Sequence, residues 1–473
     1  MLDYIDGVLF GRMMTEKEGQ KIVARLNQLN RLTAAFYLGQ NPLTGMKELL
    51  TGTWATISRT MVNKIDKQDL FGYGDWGKGI SFTLGDSVKG KVQFNYSHLT
   101  ITDEINEMFQ LMDMSLHRVV QKKRSSYRSI PEAMDDRLFV FSKMPDYFHR
   151  MSVFVAQMIH DGILKLDASG RPSEDSAIRY VNGKMVYRPE KDDRFAAYFA
   201  HQVEPTDPQE RKRYLEAKIR YETLVSSLVA DGKMQQGDPL RMFYDMKQRN
   251  SMTAYSDMIY GSYDPANQWL FRNTTFGRVF GLFRTYLNTR KDKYFLSTQV
   301  NMRHGHWEMR YDENGNPTGQ VWVGRPMEGI IQSFAHVFKI AGSNGMDIGA
   351  TFRDWRNMDS FRKANLALFG FDMFQFLLIS LLLSWFFSED SEDEGNTAQA
   401  FHRIIQSSAK DLFILKTIGD ITGNYNPIAS FSFVSDFANG LQGVFTGDTK
   451  AMKSFVEGMG VYRSATAFIP SEN

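Results

Sequence analysis

There is no cysteine among the 473 residues. That excludes disulfide bonds, thiol nucleophiles and cysteine-held zinc, and it suits a chain that crosses between redox environments. Proline is scarce, with 13 residues, which argues against long disordered linkers. An excess of one charge sign is lacking too. The 56 Lys and Arg residues meet 54 Asp and Glu, so no global field favours nucleic acid. A mean hydropathy of −0.36 excludes a polytopic membrane protein. The opening residues, MLDYIDGVLFGRMM, carry acids early and offer no small-residue cleavage site, so they do not form a secretory signal. Helical text begins almost at once, as expected for the processed or excerpted end of a longer protein. Walker A, GxSxG and HExxH patterns are all missing, which speaks against a familiar hydrolase or nucleotide enzyme.

What the sequence does have is one long apolar run. Residues 366–387 read LALFGFDMFQFLLISLLLSWFF, with Asp372 the sole ionisable side chain. As a helix the run would reach roughly 33 Å, against a bilayer core of ~30 Å. Its fourteen Leu, Ile and Phe residues favour insertion by roughly 4–8 kcal/mol, and Asp372 costs at most ~3 kcal/mol. Arg353, Arg356, Arg362 and Lys363 precede the run, and SEDSEDEGN follows at 388–396. If the helix inserts, the basic flank keeps its N-terminal side cytoplasmic. A helix buried inside a large helical assembly would read the same way, and both alternatives stay open. Asp372 separates them: in lipid it should face a partner or water, and in a protein core it should be paired. The expected membrane or partner contacts are Phe374, Phe376, Leu378, Leu382, Trp385, Phe386 and Asp372.

Aromatic residues make up 13% of the chain and there are 26 Met, which suits adaptable contact surfaces. Phe276, Arg278, Phe280, Phe283 and Arg284 read as an aromatic helix framed by arginines. It is either buried with snorkelling arginines or docked on a partner or membrane. Lys122, Lys123 and Arg124 form the densest basic patch, read as a phosphate contact or as a solvated helix end. His304 and His306, one residue apart on a strand, would point the same way, but no third metal ligand stands nearby. Asp312, Asn314 and Asn316 imitate a calcium loop. Pro317 and Val323 then fall where a glycine and a bidentate acid are required, so a hairpin turn explains them better. Asp135, Asp136 and Asp359 lack the spacing for two-metal chemistry and read as solvated helix ends. An enzymatic reading would need His149 and His160 to meet acids in a cleft. No catalytic residue, metal or cofactor is assigned.

Periodicity predicts a mainly α fold, an extended multi-helix assembly with small β-hairpin insertions. Residues 1–100 read as a helical segment with a β-hairpin formed by 80–84 and 91–96. Residues 101–306 read as a helical body with a small hairpin at 177–187, where Asn182-Gly183 suits a two-residue turn. Within that body, helices are expected at 102–123, at 133–164 with an interruption at Pro145, at 208–230 and at 241–260. A hairpin and a basic linker helix follow at 307–363, then the apolar helix at 364–388. Residues 389–473 read as an amphipathic helix and a Gly- and aromatic-rich tail.

Two loose patterns carry a resemblance. One is Tyr260-Gly261, Tyr263, Asn267, Phe276-Gly277, Phe280, Phe283 and Tyr286, followed by the apolar helix and the Gly-rich tail. The other is Leu26-Asn27, Leu38-Gly39, Asn41-Pro42, Lys47, Leu50 and Gly52. Together they resemble the C-terminal regions of very large virion proteins of tailed phages, most closely those of crAss-like gut phages. The resemblance implies a non-enzymatic structural and cargo protein, packaged in the capsid or tail and ejected into the host with the genome. It implies other virion proteins (portal, tail or cargo) and further copies of the chain as partners, with the host envelope as a later contact. Nucleic acid is a weaker candidate partner. Related giant polypeptides include a virion RNA polymerase, but its metal-binding aspartate signature is missing here, so that activity is not carried over. The alternatives are a single-span membrane protein with a large cytoplasmic domain, or a piece of such a polymerase polyprotein that lacks the catalytic motif.

Overall fold

The computed structural model describes residues 42–66, 70–91, 100–109, 140–181, 184–230, 246–260, 292–345 and 347–386, with isolated positions at 232, 235, 450, 453 and 456. Helices α1 (Pro42–Asn63), α2 (Tyr73–Lys91), α3 (Ile101–Phe109) and α4 (Val140–His160) come first. A hairpin of β1 (Ile178–Val181) and β2 (Lys184–Tyr187) follows, then α5 (Ala196–Phe199), α6 (Pro208–Ala230) and α7 (Met246–Tyr260). A longer hairpin, β3 (Gln299–Tyr311) with β4 (Pro317–Met327), precedes α8 (Ile330–Ser343), α9 (Ile348–Asn357) and α10 (Ser360–Phe386). Among the described residues the architecture is mainly α with two antiparallel hairpins, as the periodicity predicts.

The core is built around α4. Its residues 151–158, MSVFVAQM, are all buried, as befits a helix that other elements surround. Met151, Phe154, Val155 and Met158 join Phe82, Ile105, Ile178, Leu224 and Met252 in the main cluster. Val153 and Ala156 pack with Phe71, Trp76 and Tyr255 in a second. The described helix runs through Pro145 without the predicted interruption. Burial of the segment beyond it outweighs the ~3 kcal/mol that an interior proline costs.

The hairpin expected at 80–84 and 91–96 is not formed. Residues 73–91 are α2, and 92–96 lie outside the described residues. Helical spacing brings Trp76, Gly79 and Thr83 to a buried face. A Cβ placed on Gly79 would lie 2.6 Å from the Ser152 carbonyl oxygen, so the glycine marks a close helix crossing and not a turn. At the start of α2, the Gly72 N–H donates to Asp75 Oδ2 at 3.1 Å, half of a capping box.

The small hairpin forms where Asn182-Gly183 predicts it: Val181 pairs with Lys184, leaving a two-residue loop. The second hairpin begins at Gln299, earlier than the predicted 307. Its register slips between Asn301 and Gly305. Gly305 lies directly under the Trp322 ring, where a Cβ would come within 2.5 Å, and Trp322 Nε1 donates to the Met302 carbonyl at 2.7 Å. At the hairpin tip Asp312 Oδ1 accepts the N–H groups of Asn314 and Asn316, at 2.9 and 2.8 Å, and Gly315 takes φ 77°. These residues make a turn, as expected. Helix α6 packs on β4, α7 on β3, and α10 on α1 and α8.

Candidate functional site

The apolar run forms the greater part of α10. Its first half is embedded in protein. Ala364 and Leu368 pack on Val62 of α1, and Phe369 meets Phe334 of α8 edge to face at 5.2 Å. Asp372 is 2% exposed, and its Oδ2 accepts from Lys293 Nζ at 2.5 Å. Gln375 is buried as well; its Oε1 accepts from Ser58 at 3.1 Å and its Nε2 donates to the Trp54 carbonyl at 3.3 Å. Gln375 is therefore satisfied by protein and Asp372 is ion-paired through Oδ2, while Asp372 Oδ1 is buried without a hydrogen-bond partner among the described residues. Among the described residues no helix is long and apolar enough to cross a membrane. The membrane-span expectation is corrected accordingly: over its described side chains the run is a docked helix with Asp372 paired. Phe374 and Leu377 nonetheless stand 60% and 58% exposed, while Leu378 is half-buried. The side chains of Phe376, Leu382, Trp385 and Phe386 lie outside the described ones. So do all of Phe276, Arg278, Phe280, Phe283 and Arg284, together with Lys122, Lys123, Arg124, Asp135 and Asp136.

Beside Lys293 opens a cavity of about 380 Å³ that no sequence motif marks. Helix α1 contributes Arg59, α7 contributes Asp257, β3 contributes Arg303 and His304, and β4 contributes Arg325, while Asp292, Lys293, Glu328 and the amides of Gln299, Asn301 and Asn365 complete the polar wall. Ala254, Met258, Leu296, Met327 and Phe361 supply an apolar side. The carboxylates here are engaged. Asp257 accepts from Arg150 at 3.0 Å and from Arg303 at 3.4 Å. Glu328 accepts from Arg362 at 3.0 Å and from Thr298 and Ser333, both at 2.8 Å. Arg325 is buried and paired with buried Asp66, but its Nε has no partner among the described residues. Arg59 has neither a hydrogen bond nor an ion pair among the described residues.

The titration behaviour follows from this crowding. Burial, and then the charge of Arg59, push the Arg325 guanidinium down to about 9. Burial also lowers Arg59, which Tyr255 and Asp372 partly offset. Burial, Arg303 and Arg59 push His304 down to about 3, so it is neutral at physiological pH. Of the three guanidiniums in this corner, Arg325 pairs with Asp66 and Arg303 with Asp257, whereas Arg59 has no carboxylate in contact among the described residues.

A second cavity, of about 440 Å³, is lined by His160, Asp161, Asp193, Arg194 and His306. His304 and His306 therefore open onto different cavities. The register slip before Gly305 disturbs the strand alternation that predicts a shared face. Among the described residues no group of three or more His, Cys, Asp or Glu could hold a metal. Asp359 is ion-paired with Arg362 at 2.9 Å. His149 and His160 do not share a cleft. His149 is buried beside α1, with Nε2 on the Leu49 carbonyl at 2.9 Å, whereas His160 Nδ1 sits 3.5 Å from Asp75.

No known protein family matches the chain, and neither a curated protein nor a solved structure does. The cavity residues were missed in the sequence because they come from positions far apart. One signal was available: between Glu48 and Lys64, Arg59 is the sole charged residue. A lone cation in such a helix asks for a buried partner or a ligand.

Proposed function

We propose that this chain is a structural cargo protein of a phage particle, packed in the capsid or tail against other virion proteins and further copies of itself, and released into the host with the genome. The reading rests on the sequence resemblance, and one structural observation supports it. Helix α10 holds Asp372 in an ion pair and Gln375 in hydrogen bonds inside the protein while Phe374 and Leu377 project outward. Such an exposed apolar edge on a helix already anchored in protein suits burial against a neighbouring subunit. The absence of cysteine is compatible with threading through a narrow tail, where a disulfide would obstruct passage. The test is mass spectrometry of purified particles together with a Phe374→Asp/Leu377→Asp double variant. Multiple copies of the wild type per particle are expected. The variant should fold with a thermal midpoint near wild type yet fail to be incorporated. Recovery of the chain in cell membranes without particles would overturn the reading, and so would normal incorporation of the variant.

A further inference from the structure

We propose that the Arg59–Arg303–Arg325 cavity is a binding site for a phosphate monoester dianion. The argument starts from Arg59. It sits among protein groups on the wall of a 380 Å³ cavity, and no carboxylate of the described residues contacts it. A half-buried guanidinium without a counter-ion is costly unless something anionic joins it. Every nearby carboxylate with a bond described above already has a cation of its own: Asp66 has Arg325, Asp372 has Lys293, Asp257 has Arg150 and Glu328 has Arg362. No carboxylate of the described residues pairs with Arg59; Asp372, whose Oδ1 is buried without a hydrogen bond among the described residues, acts on it only through its charge.

The chemistry of the walls selects the anion. A monocarboxylate would be satisfied by one guanidinium fork. Here Arg59, Arg303 and Arg325 all line one cavity, and the charge of Arg59 reaches Arg325. A dianion with three terminal oxygens can accept from all three. The Arg325 Nε–H, buried without a partner among the described residues, is an available donor. Phosphate alone would fill only part of the space. The remaining wall of Met258, Leu296 and Phe361 is apolar and leaves room for an organic group such as a nucleoside. The dianion could come from free phosphate, from a nucleotide or from the 5′ end of a nucleic acid strand; the phosphate chemistry is common to all three.

The experiment is calorimetry and thermal shift on the full chain, with ionic strength held constant by chloride. Inorganic phosphate, a nucleoside 5′-monophosphate and a 5′-phosphorylated dinucleotide are the probes, with acetate as the monoanion control. Saturable binding and a rising midpoint are expected with phosphate probes and not with acetate. The probe that binds tightest identifies the source. Arg59→Met should weaken binding at least tenfold, while its ligand-free midpoint stays at or above that of wild type, because a charge without a partner has been removed. Arg303→Gln, on the more open wall, is the second variant and should weaken binding several-fold. A wild type that shows no saturable response to any phosphate probe overturns the proposal. So do two folded variants that bind as wild type does, or acetate binding as tightly as phosphate. Should Arg59→Met fail to fold, the affinity of Arg303→Gln decides.

Discussion

At the scale of single residues, the chain places several ionisable groups where water cannot reach them, and each has a measurable consequence. His149 is 2% exposed, stacks on Tyr260 at 5.6 Å and presses against Gly52. Burial pushes it from 6.5 down to about 4, with the Leu49 carbonyl and Asp146 opposing. Between those values the unfolded chain binds a proton that the folded chain refuses, so stability is lost as pH falls from 6.5 to 4. The full loss is roughly 3 kcal/mol. The urea midpoint should drop across that window, and His149→Gln should flatten the slope. Glu48 behaves in the opposite sense. Burial and then Asp146 raise it from 4.5 to about 8, so it favours the folded state at low pH and that contribution is lost as pH rises through 8. Glu48→Gln should therefore be more stable than wild type at pH 8 by the same assay. Lys293→Met would strand the buried Asp372 carboxylate, and about 3–5 kcal/mol of stability should go with it. Adding Asp372→Leu should recover most of that loss in a double-mutant cycle.

At the scale of elements, α2 shows why part of the fold was legible in the sequence and part was not. Two of its glycines look alike in the sequence and do opposite things. Gly77 is exposed and a Cβ there meets nothing within 4 Å, whereas Gly79 is pressed against the Ser152 backbone. Gly77→Ala should stabilise the protein by ~0.5–1 kcal/mol, since it restricts the unfolded chain and improves helix propensity. Gly79→Ala should destabilise it by ~1–3 kcal/mol, since α2 and α4 must move apart. Thermal or urea unfolding of the two variants checks both signs. Two short runs around Gly85-Asp86 and Gly90 suggested a hairpin here, because short apolar runs beside glycines read alike in a strand and in a helix that packs closely on a partner. Helix α6 was readable to its ends because it needs no such partner: Pro208 starts it and its charged face is local. The second hairpin was readable at its tip, where Asp312 and Gly315 make a turn, but not at Gln299, where pairing depends on Met327. The charged cavity was illegible for the same reason. Its walls at 59, 257, 293, 303 and 325 come from five separate stretches, and no local spacing joins them.

At the scale of the whole molecule, α1 is held by residues very far along the chain. Thr56 bonds Tyr260, Asp66 pairs with Arg325, and Ser58 and Trp54 bond Gln375. Cutting the chain before residue 292 should make amides 42–66 exchange faster than in the full chain, although α4 and Tyr260 still hold one side of α1, while 151–158 keep much of their protection, because the core around α4 draws on α2, α3, α6 and α7. Exchange measured by mass spectrometry on the shortened and full chains tests that difference. The same separation sets a clock during synthesis. Ser58 and Gln375 are 317 residues apart. A ribosome adding roughly 5–20 residues per second would therefore need about 16–63 seconds between making the two. For that interval the side of α1 that will meet α10 waits on the nascent chain without the residues that will cover it. A chaperone that shelters emerging polypeptides is the natural occupant of that gap, and slowing translation between codons 60 and 375 should lengthen its stay.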